Sequence, residues 1–169
     1  MINVYWLTGL SGAGKTTIGR FWYEELKRAG QPVVFLDGDE LRQVFGDDLG
    51  YTETDRRKSA MRNARLCALL ARQGISVVCC TISMFDSVRE WNRANIPGYV
   101  EVYVKVSMET LRKRDQKGLY SAGGDVAGIH FTVEEPKCPD IVLQNDGELT
   151  PEEQLDILWQ RVKKQREGI

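Results

Sequence analysis

A glycine-rich motif near the N-terminus constrains the fold more than any other stretch of the sequence. Gly9 and Gly14 lie five positions apart and are followed directly by Lys15 and Thr16, the G-x-x-x-x-G-K-[ST] pattern of a phosphate-binding loop. Glycines let the backbone turn with positive φ and bring its N–H groups close to phosphate oxygens. The lysine supplies a mobile positive charge, and the threonine hydroxyl can join the ligand shell of a Mg²⁺ ion. The motif predicts a site for a nucleoside triphosphate; an ordinary glycine-rich link between a strand and a helix is the alternative.

The segments on either side of the motif agree with the first interpretation. Residues 2–7 are apolar, as expected of a buried strand, and residues 16–29 carry apolar side chains at helical spacings of three and four. Such a helix would point its partly positive N-terminus at the same anion.

Further apolar segments predict the rest of the architecture. Five of them alternate with segments of helical spacing: residues 2–7, 33–36, 75–82, 99–106 and 140–143. With the phosphate-binding motif, this alternation predicts an α/β protein of the P-loop NTPase fold, with a five-stranded, mainly parallel sheet and helices on both faces. Residues 116–139 have no sustained period, which indicates a lid or a disordered insert.

Length and composition indicate one soluble domain spanning residues 1–169. Of the 169 residues, 42% are hydrophobic and 28% are charged, as in folded soluble proteins. A net charge of −1 gives no basis for broad contact with nucleic acid. No apolar run reaches the roughly 18 residues of a membrane span, and residues 2–7 enter the first strand without a signal peptide. We therefore expect neither nucleic acid nor a membrane as a partner.

The cysteines and the single histidine suggest no metal centre. The four cysteines are Cys67, Cys79, Cys80 and Cys138, and no two of them form a C-x-x-C pair. Buried reduced thiols in a cytoplasmic protein are the expected arrangement. His130 lies within the predicted lid, where an exposed histidine seldom has a catalytic role.

Two aspartates follow the second predicted strand. Asp37 and Asp39 are separated by one glycine at the carboxyl end of that strand, where ligands bind in open α/β sheets. One could bind Mg²⁺ through water, and the other could orient or deprotonate an acceptor hydroxyl. A plain Asp-Gly turn is the alternative.

The next predicted helix begins with many basic residues. We expect it over residues 55–73, capped by Thr52 or Thr54. Its basic side chains are Arg56, Arg57, Lys58, Arg62 and Arg65. They form either a solvated helix face or a set of bidentate donors for a second phosphorylated ligand.

Several blocks together resemble the adenylylsulfate kinase family of phosphate-loop kinases. They are residues 9–17, residues 36–42, residues 51–62 with Asp55-Arg56, Ile82-Ser83, and residues 114–120, which read Arg-Asp-Gln-Lys-Gly-Leu-Tyr. The last block resembles the lid signature of the family and is more discriminating than the phosphate-binding motif. The resemblance covers nearly the whole chain.

The resemblance implies transfer of the γ-phosphoryl group of ATP to the ribose 3′-hydroxyl of a nucleotide acceptor, with Mg²⁺ as cofactor. Lys15, Asp37 and Asp39 would be catalytic, with Asp39 at the acceptor hydroxyl. Thr16 and, through water, Asp37 would hold the Mg²⁺. The ATP-binding residues would be Gly9, Ser11, Gly12, Ala13, Gly14, Lys15, Thr16, Thr17 and Arg114. The acceptor-binding residues would be Asp39, Arg42, Arg56, Ser59, Arg62, Ile82, Ser83, Lys117, Gly118 and Leu119. Members of the family often form dimers, so a homodimer is one assembly open to this chain.

The sequence departs from the family pattern in three blocks, all of them in the acceptor half. Ser59 stands where Asn is typical, and Met61 where the first of two arginines is typical. Residues 84–86 read Met-Phe-Asp instead of Pro, an aromatic and Arg, and residues 128–132 do not match Phe-Thr-Gly-Ile cleanly. These features resemble a branch associated with capsule modification that phosphorylates cytidine diphosphoramidate, which we predict as the acceptor. Adenylylsulfate, the acceptor in sulfate assimilation, is the alternative.

Two functions of another class would leave different sequence features. A nucleotide-gated switch of the GTPase type would carry a guanine-recognising Asn/Thr-Lys-x-Asp block, which this sequence lacks. An inactive kinase kept as a binding module should have lost Lys15, Thr16 or one of the two aspartates, and all four are present.

Overall fold

The computed structural model describes residues 1–115, residue 118 and residues 133–167. Residues 165–167 are described by their backbone alone. In chain order the elements are β1 (Val4–Thr8), α1 (Lys15–Arg28), β2 (Val33–Asp37), α2 (Gly38–Val44), α3 (Glu53–Arg72), β3 (Ser76–Cys80), α4 (Asp86–Asn95), β4 (Tyr99–Lys105), α5 (Met108–Arg114), β5 (Ile141–Gln144) and α6 (Pro151–Glu167). None of the helices in these ranges is long and apolar enough to cross a membrane.

The strands form one sheet in the order β2-β3-β1-β4-β5, and every neighbouring pair in it is parallel. The predicted P-loop fold is therefore confirmed, with a sheet that is wholly parallel in the described part of the chain. Because the carboxyl ends of parallel strands meet at one edge, the segments that follow the strands converge there. The central position of β1 places the glycine-rich motif in the middle of this edge.

Helices cover both faces of the sheet. On one face the buried helical side chains are Ile18, Trp22 and Leu26 of α1 and Leu158 and Val162 of α6. On the other face they are Ala60, Ala64, Cys67 and Ala68 of α3 and Val88 of α4. Burial on both sides explains the continuous apolar character of the inner strands.

Three of the four cysteines are buried, as predicted. These are Cys67, Cys79 and Cys80, and burial raises the pKa of the Cys80 thiol. Cys138 is exposed, so the expectation of burial is wrong for this residue. It lies in the irregular segment before β5.

The boundaries of several elements differ from the sequence-based prediction. The sequence pattern does not predict α2, a helix of seven residues that directly follows β2. Helix α3 begins two residues earlier than predicted because Thr52 caps it, accepting a hydrogen bond from the backbone of Asp55. Strand β3 is shorter than predicted because the chain leaves the sheet after Cys80 and turns at Ser83. Strand β5 starts one residue later than predicted, at Ile141.

Most of the predicted lid lies outside the described residues. Its last part, which the structure does describe, contacts the N-terminus of α4. Glu134 donates its backbone N–H to the carbonyl oxygen of Met84 at 3.1 Å, and its carboxylate accepts from the backbone N–H of Asp86.

Candidate active site

The phosphate-binding loop joins β1 to α1 and turns through three glycines with positive φ. The φ angles are 151° at Gly9, 78° at Gly12 and 93° at Gly14. A Cβ on Gly9 would overlap the carbonyl oxygen of Val104, and a Cβ on Gly14 would lie 2.5 Å from Nδ2 of Asn145. Glycine is therefore required at these two positions by close packing as well as by backbone conformation.

Lys15 begins α1 and is only 9% exposed. Its Nζ donates a hydrogen bond of 2.7 Å to the carbonyl oxygen of Leu10, which holds the ammonium group against the loop. Thr16 and Thr17 are exposed in the same helical turn, which contains no acidic residue. The partial positive charge of the helix N-terminus can therefore act on an anion in the loop.

Asp37 connects β2 to the phosphate-binding loop. Its Oδ2 accepts a hydrogen bond of 2.7 Å from Oγ1 of Thr16, and its Oδ1 accepts one of 2.9 Å from the backbone N–H of Asp39. The second bond caps α2. Asp37 is 9% exposed, whereas Asp39 is exposed in the first turn of α2. The structure thus gives the two aspartates different surroundings, a distinction that their sequence positions leave open.

Arg42 and Arg56, both predicted to bind the acceptor, lie against the same aromatic ring. Their guanidinium carbons are 4.4 Å and 5.4 Å from the ring centroid of Tyr51. Arg42 donates to the carbonyl oxygens of Leu49 and Gly50, and Arg56 Nε donates to that of Tyr51 at 2.8 Å. The backbone before α3 therefore holds two guanidinium groups near each other, an arrangement suited to a phosphorylated ligand.

Arg62, another predicted acceptor contact, forms an ion pair within the protein. It donates two hydrogen bonds to the carboxylate of Asp48, at 2.8 Å and 2.9 Å. These bonds lower the pKa of Asp48 and raise the pKa of Arg62. Ser59 lies on the same helix and is half-buried. Arg62 also lines a pocket of about 410 Å³ on α3, together with Lys58, Met61 and Arg65.

Ile82 and Ser83 lie beside the start of the phosphate-binding loop. The carbonyl oxygen of Ile82 accepts a hydrogen bond of 2.5 Å from Oγ1 of Thr8, the last residue of β1. Ser83 is buried and has a φ of 31°, and its hydroxyl is 2.6 Å from that of Thr81. A positive φ at a residue other than glycine is strained and is frequent at functional sites. The motifs did not point to Thr8, which fixes this turn.

Arg114, a predicted ATP contact, belongs to a chain of hydrogen bonds that reaches the phosphate-binding loop. Its guanidinium donates to the carbonyl oxygen of Asn145 at 2.7 Å. Asn145 Nδ2 donates to the carbonyl oxygen of Ala13, and Asn145 Oδ1 accepts from Gln154, both at 2.7 Å. The sequence-based prediction includes neither Asn145 nor Gln154. Asn145 directly follows β5. The rule that ligands bind at the carboxyl ends of parallel strands, which pointed to Asp37, could therefore have pointed to Asn145 as well.

Two predicted acceptor contacts, Lys117 and Leu119, and the single histidine, His130, lie outside the described residues. Gly118 is described and donates its backbone N–H to the carbonyl oxygen of Asp115 at 2.9 Å.

The family is identified by comparison with known proteins. The family model described as adenylylsulphate kinase matches residues 2–144. The chain belongs to the adenylylsulphate kinase family. The resemblance carried by residues 9–17, 36–42 and 114–120 is thereby confirmed, and so is the assignment of the chain as a kinase.

Individual relatives of this chain differ in their named activities. Cytidine diphosphoramidate kinase of Campylobacter jejuni is 36% identical over 164 residues, which cover 94% of this chain and 95% of that protein. Adenylyl-sulfate kinase of Halothermothrix orenii is 40% identical over 152 residues, which cover 87% and 82%. The structure of the Mycobacterium tuberculosis APS kinase CysC in complex with AMPPNP and APS matches with a TM-score of 0.87 at 30% identity, over 96% of this chain and 98% of that one. These similarities support a kinase of this family without selecting one acceptor.

Proposed function

We propose that this chain, acting as a single kinase domain, transfers the γ-phosphoryl group of ATP to the ribose 3′-hydroxyl of cytidine diphosphoramidate. One observation carries the proposal: the hydrogen bond of 2.7 Å between Thr16 Oγ1 and Asp37 Oδ2. It joins a loop suited to a triphosphate to a pair of carboxylates suited to a metal and an acceptor hydroxyl. Phosphoryl transfer needs both in one crevice.

In this proposal the phosphate-binding loop binds ATP. The backbone N–H groups of residues 9–17 would surround the β- and γ-phosphates, with the N-terminus of α1 behind them. Lys15 would move from the Leu10 carbonyl oxygen, its present acceptor at 2.7 Å, to a phosphate oxygen. Arg114 would supply a further positive charge from the end of α5.

Thr16 and Asp37 have the chemistry of a magnesium site. A hydroxyl and a carboxylate oxygen 2.7 Å apart are hard oxygen ligands of the kind Mg²⁺ prefers, directly or through water. Bound there, Mg²⁺ would neutralise charge on the phosphates. Asp37 suits this role better than Asp39 because it already contacts Thr16.

Asp39 would then serve the acceptor. Its carboxylate would orient the 3′-hydroxyl and accept its proton while the oxygen forms a bond to the γ-phosphorus. The bond from that phosphorus to the β–γ bridging oxygen breaks, and ADP leaves. Arg42 and Arg56 would hold the charged group of the acceptor, and residues of the lid would exclude water.

The choice of cytidine diphosphoramidate rests on the acceptor half of the sequence. Ser59, Met61 and residues 84–86 depart from the pattern typical of adenylylsulfate kinases. The similarity to the C. jejuni kinase extends over 94% of this chain and 95% of that protein, more of both than for the H. orenii enzyme. Adenylylsulfate is the second candidate, favoured by the 40% identity to the H. orenii enzyme.

An acceptor screen tests the proposal. Release of ADP would be measured with ATP and Mg²⁺ alone, with cytidine diphosphoramidate and with adenylylsulfate, and ³¹P NMR would locate the new phosphate. We expect acceptor-dependent release and a 3′-phosphorylated cytidine product. Faster turnover of adenylylsulfate would overturn the acceptor assignment, and slow hydrolysis indifferent to any acceptor would overturn the kinase proposal in favour of a nucleotide-gated switch.

A double substitution tests whether α3 selects the acceptor. Ser59→Asn combined with Met61→Arg restores the residues typical of adenylylsulfate kinases. We expect kcat/KM for adenylylsulfate to rise, because the added guanidinium and amide groups can form hydrogen bonds with polar groups of this ligand. Without them, those polar groups of the ligand would be left unpaired. Lys58→Arg, on the same face of α3 and conservative in charge, is the control. An unchanged kcat/KM in the double variant would place acceptor selection elsewhere.

The homodimer and the cytoplasmic location remain predictions. Analytical ultracentrifugation of the purified chain, with and without ATP, would decide between a monomer and a dimer.

A further inference from the structure

Asn145 is engaged at every polar group that it carries. Its side-chain Nδ2 donates to the carbonyl oxygen of Ala13, and its Oδ1 accepts from Nε2 of Gln154, both at 2.7 Å. Its backbone N–H donates to the carbonyl oxygen of Lys105 at 2.9 Å, and its own carbonyl oxygen accepts from Arg114 at 2.7 Å. One residue therefore connects α6, β4, the end of α5 and the phosphate-binding loop.

The hydrogen bond to Ala13 fixes a peptide group of the phosphate-binding loop. Ala13 lies between Gly12 and Gly14, whose φ angles are 78° and 93°, so regular helical bonding begins only after it. A trans peptide is planar and its C=O and N–H point in opposite directions. Holding the Ala13 carbonyl against Asn145 therefore directs the N–H of Gly14 away from Asn145. Gly14 also permits this contact, because a Cβ there would lie 2.5 Å from Asn145 Nδ2.

Gln154 stabilises the orientation of the Asn145 amide that the Ala13 carbonyl oxygen also requires. Its Nε2 is a donor and must meet an oxygen, so Asn145 presents Oδ1 to Gln154 and Nδ2 to the loop. Gln154 is only 2% exposed and lies on α6. Water is therefore largely excluded as an alternative partner of Gln154, and the two hydrogen bonds together hold the amide in this orientation.

We infer that Asn145 is a positioning residue for the nucleotide, held in its orientation with the help of Gln154, and that its side chain controls the affinity for ATP through the Ala13–Gly14 peptide. The inference rests on the proposed function, in which ATP occupies this loop. Asn145 contacts no predicted acceptor residue among its four hydrogen-bond partners. Its effect should therefore appear in ATP binding and not in acceptor binding.

Substitution of Asn145 tests the inference. Asn145→Ala removes the side-chain bonds, and Asn145→Asp keeps the shape but cannot donate to Ala13 and adds a negative charge near the phosphates. We expect the Kd for a non-hydrolysable ATP analogue with Mg²⁺, measured by titration calorimetry, to rise about tenfold in the Ala variant and further in the Asp variant. The KM for the acceptor at saturating ATP should change less than about twofold.

Gln154→Met tests the same link from its other end. This change removes the donor to Asn145 and leaves the loop untouched, so the Kd for the ATP analogue should rise about threefold. In the double variant with Asn145→Ala, the Gln154 substitution should add nothing, because the group that it orients is gone. Independent, additive effects would overturn the link between the two side chains.

Gln144→Ala is the matched control. Gln144 is the neighbouring amide residue, is exposed, and donates to Asp146 instead of the loop. Its removal should leave the Kd unchanged. Wild-type ATP affinity in the folded Asn145→Asp variant, or an equal rise in the KM values for ATP and acceptor, would overturn the inference alone. Absence of ATP binding by the wild-type protein would overturn the proposed function as well.

Discussion

Substituting Asp37 in two ways separates its structural role from its proposed chemical role. Its Oδ1 caps α2 through the backbone N–H of Asp39, and its Oδ2 accepts from the hydroxyl of Thr16. Asn can preserve both contacts, because its oxygen can cap the helix and its amide can donate to a rotated Thr16 hydroxyl. Ala preserves neither. The two variants should therefore differ in stability while both lack the charge.

The magnitudes follow from these two contacts. Loss of an N-cap costs about 1 kcal/mol, and loss of a part-buried hydrogen bond costs about 1 kcal/mol more. Asp37→Ala should therefore lower the free energy of unfolding by about 2 kcal/mol, which corresponds to about 4–8 °C in Tm for a chain of this size. Asp37→Asn should cost about 0.5 kcal/mol or less, because Asn and Asp are nearly equal as N-caps. Both should lose roughly 100-fold or more in kcat, as expected when a charge that organises the transition state is removed.

Urea denaturation and steady-state kinetics at saturating Mg²⁺ measure the two effects separately. Thr17→Ala, a change in the same exposed helical turn as Thr16 that leaves Asp37 untouched, provides the stability control. The argument fails if Asp37→Asn loses as much stability as Asp37→Ala. It also fails if Asp37→Asn retains a kcat close to that of the wild type.

Three further predictions concern other groups. Lys15→Ala should abolish turnover and leave the far-UV circular dichroism unchanged, and appreciable activity in this variant would contradict the role of the loop. Asp39→Asn should lower kcat much more than it weakens ATP binding measured by calorimetry, since Asp39 is assigned to the acceptor; equal losses would indicate a structural role. Glu101 is 3% exposed, and its burial raises its pKa above the usual 4.5 despite the nearby Arg93 and Arg89. Its ionised form is therefore disfavoured by folding, so stability should fall as the pH rises from 4.5 through the raised pKa. Glu101→Gln should flatten that fall in urea denaturation curves, and an unaltered pH dependence would contradict this assignment.

The predictions that succeeded are those that depend on local pattern. The motif from Gly9 to Thr16 specifies its own backbone conformation, because only glycine tolerates the positive φ angles and close contacts found there. The alternation of apolar strands with amphipathic helices similarly predicts a parallel sheet, since each strand must be buried on both faces. The capping of α3 by Thr52 could also be predicted, because a threonine directly before a helical segment is a local signal.

The predictions that failed or fell short concern short or irregular segments. Helix α2 has seven residues, too few to show a helical period against the preceding turn signal of Asp37 and Gly38. The exposure of Cys138 depends on how an irregular segment crosses the surface. The role of Arg62 as an acceptor contact, implied by the family resemblance, stays a prediction, and its ion pair with Asp48 depends on a loop whose path no motif describes.

By itself the sequence determined the family, the fold and the phosphate-binding loop, because each depends on residue types at fixed spacing along the chain. Only the tertiary structure distinguished Asp37 from Asp39, since the distinction lies in which carboxylate, at the end of β2, contacts Thr16 at the start of α1. Only the tertiary structure showed that Asn145 and Gln154 lie near the loop. Asn145 is 132 residues from Ala13 in the sequence, yet the two form a hydrogen bond. Contacts of that kind are set by the order of the strands, which places β1, β4 and β5 side by side and which no local pattern specifies.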